Sequence, residues 1–186
     1  PATGKPDPAK VKAYNDAHPE VLRQAEYLAK APVPASFAQA PFWGVNTFYF
    51  TGKDGQRRPA RWTVEPAAGV VGLSEEQLKS LPDNFLADEL RQRVAQGPVA
   101  WDFYLQFPTE GDPLLDSTAA WPSDRRRVKV GRLAVTKVAP AGEPGPCEAE
   151  MFDPLVLPTG IEPSDDPVLL VRSPVYAISV TRRQAP

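Results

Sequence analysis

Apolar and polar residues alternate in some stretches of this chain and recur at helical spacing in others, which divides it into short elements. Residues 42–66 hold two aromatic and β-branched runs around a polar loop containing Asp54-Gly55. That pattern predicts two antiparallel strands joined as a hairpin. Residues 98–109 and 127–140 alternate again and predict two further strands. Residues 8–31 have helical spacing that is interrupted before Pro19. In residues 73–97, Ser74 with Gln77 three positions on is a capping-box pattern, Pro82 divides the stretch into two short helices, and Gly97 closes it.

Two segments are less regular. Residues 112–124 form a long loop, of the kind that tends to be functional or to wrap a neighbour. Residues 147–166 read as extended and turn-rich, leading into a final helical turn or two that carries Arg172 and Tyr176. On a helix, residues four apart share a face, so the Arg172 guanidinium can reach the Tyr176 phenolic oxygen. The order of strands, helices, strands and helix predicts an α+β fold with an antiparallel sheet.

Composition narrows the function classes. The chain has 186 residues, 42% hydrophobic and 24% charged, enough for one domain with a real core. Its 23 prolines are spread along the length, which fits many short elements separated by turns. A net charge of −2 leaves no basic excess to hold phosphates. The run Arg125, Arg126, Arg127 reads as a solvated loop or strand edge, so no nucleic acid is expected as partner. Cys147 is the single cysteine, which rules out an internal disulfide and leaves no Cys/His cluster for a metal. His18 is the single histidine and sits at a helix boundary, so any histidine-based triad or pair would have to use it.

No Gly-rich phosphate loop, repeat or low-complexity tract supports a nucleotide enzyme. No stretch approaches the ~20 apolar residues of a membrane span. Residues 1–9 look like a polar, Pro-rich linker that is neither a signal peptide nor a natural start, so truncation or processing is expected and the compartment, cytoplasmic or periplasmic, is not readable. The carboxylate pairs Glu75-Glu76 and Asp165-Asp166 read as helix starts, where they complement the dipole. The tryptophans at 43, 62, 101 and 121 read as filling the core or covering the sheet.

Several spaced motifs agree with one family. The run MFDPLVLPTGIEPSDDPVLLVRSPVY, residues 151–176, resembles the haem-proximal segment of the haem catalases, where F-D-P, P-x-G-I-E-x-S, an aspartate and R-x-x-x-Y follow in this order. Residues 42–66 resemble the catalase hairpin that opens G-x-H-T-F, and Trp121-Pro122 with VKVGRLAVTKV resembles its W-P loop and following strand. The ending YAISVTRR is more like the small catalase-related peroxidases.

The resemblance implies an antiparallel β-barrel of the haem catalase type with flanking helices, here its second half as an open half-barrel. Residues 1–36 would be linker and helical segment, and residues 37–186 the C-terminal part of the haem-binding core. It implies haem b as cofactor, Tyr176 as axial ligand to iron, Arg172 hydrogen-bonding the phenolate, and Asp166 orienting that network. Phe152 and Leu169 would pack the proximal face of the haem. A free phenol has a pKa of about 10, and a guanidinium within reach favours its anion.

Two departures carry consequences. Asn46, in GVNTF, stands where the family motif has histidine, so the proximal relay is shortened or rebuilt. The family's distal histidine and asparagine lie N-terminal to the matching region, so the chain would carry the proximal side of a pocket without the distal side. The implied parent reaction is reduction of hydrogen peroxide or organic hydroperoxides with an external electron donor, the chain alone being inactive. A homo-oligomer or pairing with the missing N-terminal half is the implied assembly. The alternative is a non-enzymatic barrel that binds lipid or a small apolar ligand and has kept the catalase scaffold without its chemistry.

Overall fold

In the computed structural model, residues 6–142, 145 and 150–184 are described. Cys147 and part of the extended stretch around it lie outside the described residues. The expected hairpin is present: β2 (Phe48–Thr51) pairs antiparallel with β3 (Arg57–Pro66), Phe48 opposite Ala60 and Thr51 opposite Arg57. Gly55 makes the turn at φ 71°, a left-handed value that glycine adopts without a Cβ penalty. Asp54 braces the turn, accepting from the Gln56 amide and from Arg58.

The sheet grows outward from β3. A two-residue strand, β1 (Phe42–Trp43), pairs with its later half, and β4 (Val99–Gln106) pairs along Arg61–Pro66. Next comes β5 (Arg127–Val135) on β4, while β6 (Ile161–Pro163) lies on β2. The main order is β5-β4-β3-β2-β6, every pair antiparallel. The two ends do not meet, so the expected half-barrel is an open sheet and no barrel closes among the described residues. At the β5 edge Val130 and Leu133 are more than half exposed.

The helices follow the predicted stops. Asp7 caps α1 (Pro8–Ala17), Pro19 interrupts the run, and α2 (Leu22–Leu28) resumes it. The Ser74–Gln77 capping box opens α3 (Glu75–Lys79), and α4 (Phe85–Gln96) ends at Gly97. From α4, Leu90 and Val94 pack on a core of Ala38, Val64, Val99 and Trp101. Buried Trp101 satisfies its indole N–H on the Ala40 carbonyl at 3.1 Å.

The tryptophans divide. Trp101 and Trp121 are buried, and Trp62 stacks on Phe103 with centroids 5.8 Å apart. Trp43 departs from the expectation: it is half exposed, edge-on to Tyr27. Its short strand lies off the main strand order, paired with β3, and its ring meets Tyr27 of α2 rather than the core.

The long loop after β4 is held from below by Arg61. This side chain is only 4% exposed and donates to the carbonyls of Ala119 at 2.6 Å, Asp116 at 3.0 Å and Pro113 at 3.2 Å. Its guanidinium also lies 4.4 Å from the Trp121 ring centroid. Burial pulls the Arg61 pKa down, and the charges of Asp116, Asp166 and Asp112 oppose that shift. Arg125 pairs with Asp112 and Arg127 with Glu65, so two members of the basic run are tied to carboxylates.

The largest difference from expectation is the last helix. In place of a turn or two, α5 runs for 18 residues, Pro167–Gln184, straight through Pro174. An interior proline forfeits one backbone bond and costs about 3 kcal/mol. Side-chain anchors in the turn and a half before it offset that cost. Leu169 is completely buried, Arg172 is bonded to two partners, and the Ser173 hydroxyl donates to Asp153 at 2.5 Å.

Candidate functional site

The pairing of β2 with β6, Phe48 opposite Pro163, aligns the residues just before one strand with those just after the other. The Ser164 amide donates to the Thr47 carbonyl at 3.2 Å, extending that alignment by one step. Asn46 and Asp166 then meet, both almost fully buried at 3% and 1% exposure.

Asp166 is the N-cap of α5. One carboxylate oxygen accepts the Val168 amide at 2.9 Å, and Pro167 takes the first helical position, where no N–H is needed. Its other oxygen accepts Asn46 Nδ2 at 2.9 Å. Asn46 Oδ1 accepts Arg172 Nη1 at 3.0 Å, and Arg172 Nη2 donates to the Tyr176 hydroxyl at 3.0 Å. A continuous hydrogen-bonded chain therefore runs Asp166, Asn46, Arg172, Tyr176. One carboxylate thus caps the helix and joins the chain of bonds, its two oxygens facing different groups.

Of the residues singled out from the sequence, Asp166, Asn46, Arg172 and Tyr176 come together. Leu169 and Phe152 lie outside the chain of bonds. Leu169 turns inward with none of its surface accessible, whereas Phe152 is 60% exposed. Tyr176 and Arg172 are half-buried. Beside them α5 exposes Val168, Val171 and Val175, which recur at helical spacing on one face.

Three further residues support the site. Asp153 accepts from Ser173 and from the Leu155 amide, tying the turn after Phe152 to α5; the Ser173 hydroxyl, then that amide, hold its carboxyl below the usual range. The F-D-P motif was a signal for it, but nothing pointed to Ser173. Thr47, fully buried beside Asn46, accepts Arg61 Nε at 3.3 Å and so links the site to the loop clamp. Among the described residues no group of three His, Cys, Asp or Glu side chains could hold a metal ion, and His18 lies in the N-terminal helical segment, against Glu20. Likewise, no helix among them is long and apolar enough to cross a membrane.

Comparison with known proteins places this geometry. The family model described as Catalase matches residues 1–186, which extends N-terminal to the motifs above. A catalase-related peroxidase of Synechococcus elongatus is 45% identical over 98% of this chain and 54% of its own length. One from Mycolicibacterium paratuberculosis is 35% identical over 97% of this chain and 57% of its own. The chain thus spans about half the length of the curated relatives it matches. Among solved structures, a bacterial catalase superposes with a TM-score of 0.77 at 19% identity, covering 93% of this chain and 36% of that one. Catalase A from Saccharomyces cerevisiae gives 0.67 at 22% identity, covering 82% and 33%. At these identities the structures establish a shared fold, while the full-length model match and the relatives establish kinship. This chain belongs to the catalase family.

Proposed function

We propose that the chain supplies the tyrosine-bearing side of a haem site in a protein that reduces hydrogen peroxide or organic hydroperoxides, with Tyr176 as ligand to iron. The observation that carries this reading is the 3.0 Å bond from Arg172 to the Tyr176 oxygen, backed by Asn46 and Asp166. A guanidinium only donates, so the phenolic oxygen serves as acceptor toward it. Tyrosine is a known haem ligand in catalases. The exposed Val168, Val171, Val175 and Phe152 offer apolar surface of the kind a macrocycle buries.

Haem, when bound, supplies the redox chemistry that breaks the peroxide O–O bond, and an external electron donor closes the cycle. The residues of this chain bind and orient. Tyr176 would hold the group, Arg172 aims the phenolic oxygen, and Asp166 with Asn46 hold Arg172. Leu169, from inside, fixes the helix that carries both. General acid–base help to peroxide is a separate requirement, worth roughly 10²- to 10⁴-fold. His18 is engaged with Glu20 and the Tyr14 ring in the N-terminal helical segment, so the chain alone is expected to turn over peroxide slowly. The names of the curated relatives support the peroxide reading.

The test is haem loading followed by gel filtration and a peroxide assay. The chain should retain haem at one per molecule, Tyr176→Phe should lose it, and turnover should fall short of a complete peroxidase by about two orders of magnitude or more. Equal retention by the variant contradicts the ligand assignment, and rapid turnover contradicts the need for outside acid–base help.

A further inference from the structure

Asn46 occupies a place where only one arrangement of hydrogen bonds closes. On one side is the Asp166 carboxylate, which accepts; on the other is the Arg172 guanidinium, which can only donate. A side chain between them must present a donor to the first and an acceptor to the second. The amide does both at once, Nδ2 to Asp166 at 2.9 Å and Oδ1 from Arg172 at 3.0 Å. Turned over, it would set N–H against N–H and oxygen against carboxylate. The flanking charges therefore fix its orientation, and with only 3% of Asn46 exposed, water is poorly placed to substitute for either partner.

The charged and titratable groups around Asn46 can be named. Asp166 and Arg172 touch it, Tyr176 lies beyond Arg172, and from β3 Arg61 reaches neighbouring Thr47 while its guanidinium feels the Asp166 charge. The one histidine of the chain is elsewhere, against Glu20. An imidazole in the place of Asn46 could accept from Arg172 only while neutral, and it would change state near pH 6.5, at about its ordinary pKa. An amide has no such state to change.

We propose that Asn46 is a positioning residue for Tyr176: its amide, oriented by Asp166, holds the Arg172 guanidinium on the phenolic oxygen through a link with no ionisable proton in the physiological pH range. The functional meaning rests on Tyr176 being the ligand-bearing residue. The linkage itself does not, and it can be measured without haem.

The experiment is NMR of the haem-free chain labelled with carbon-13 at tyrosine Cζ and nitrogen-15 at arginine, from about pH 5 to pH 8. Wild type is compared with Asn46→His and Asn46→Asp. The wild-type Tyr176 and Arg172 signals should stay flat, with slowly exchanging Arg172 side-chain N–H. Asn46→His should match wild type at the alkaline end and move with a single midpoint in the imidazole range as pH falls. Asn46→Asp keeps an acceptor for Arg172 but loses the donor to Asp166, so its signals should be displaced throughout. A wild-type profile that titrates, Arg172 protons that exchange as fast as those of exposed arginines, or an Asn46→His profile identical to wild type overturns the proposal. If neither variant folds, the wild-type profile and exchange rate decide alone. Loss of the ligand assignment would appear separately, as haem retention by Tyr176→Phe with the NMR result intact.

Discussion

The Asn46 amide donates to the Asp166 carboxylate at 2.9 Å across a separation of 120 residues. This one bond joins the approach to β2 to the start of α5. It also makes the helix cap of α5 and the anchoring of Arg172 depend on the same buried carboxylate.

Removing that carboxylate should therefore do two things. Asp166→Ala loses a cap, worth about 1 kcal/mol, and leaves the Asn46 donor unpaired in the interior, worth about 1–3 kcal/mol more. Urea unfolding should show a loss of roughly 2–4 kcal/mol with little change in slope. A loss below about 0.5 kcal/mol would mean that the cap and the link contribute little.

Gly44 is small because Trp62 leaves it no room. A Cβ added there would lie 2.4 Å from the indole. Gly44→Ala must push the ring off Phe103, at a cost of about 1–3 kcal/mol. Near-ultraviolet circular dichroism should lose tryptophan intensity while the far-ultraviolet signal stays. An unchanged spectrum and melting point would contradict this packing.

Ser164 gives the opposite expectation. Its hydroxyl is buried without a hydrogen-bond partner, so Ser164→Ala removes a desolvated polar group and little packing. Stability should hold or rise by up to about 1 kcal/mol. A drop of that size would show that the hydroxyl has a partner in solution, such as a buried water.

Acid sensitivity should map to the β4–β5 edge. Arg132, then Lys129, hold the Asp102 carboxyl down to about 2 from its ordinary 3.8. A depressed carboxylate contributes stability that is present above its unfolded pKa and is lost as pH falls through the folded one. Between about pH 4 and pH 2, wild type should therefore lose stability more steeply than Asp102→Asn, whose side chain has no proton to take up. Parallel curves would place the acid sensitivity elsewhere, for example at the Asp54–Arg58 or Asp112–Arg125 pairs.

Much of this was legible from spacing alone. The Asp54-Gly55 turn, the Ser74–Gln77 box, the stop at Gly97 and the alternation in β4 and β5 each have a local physical cause, and each element formed where that cause acts. The extent of α5 was not legible, because Pro174 reads locally as a breaker while the anchors that outweigh it, Leu169 burial and the Ser173–Asp153 bond, come from tertiary packing. Trp43 was misplaced for the converse reason, since aromatic character does not say whether a two-residue strand packs into the core. At the site, the Arg172–Tyr176 pair followed from helical spacing. The orientation of Asn46 between Asp166 and Arg172 depends on a pairing 120 and 126 residues away, which no local pattern encodes.

The most direct test of Tyr176 as haem ligand is the visible absorption spectrum of the ferric haem-loaded chain, recorded for wild type and Tyr176→Phe. The account predicts a tyrosinate-to-iron charge-transfer band together with a shifted Soret band in wild type, both absent from the variant. Identical spectra for the two proteins would contradict it.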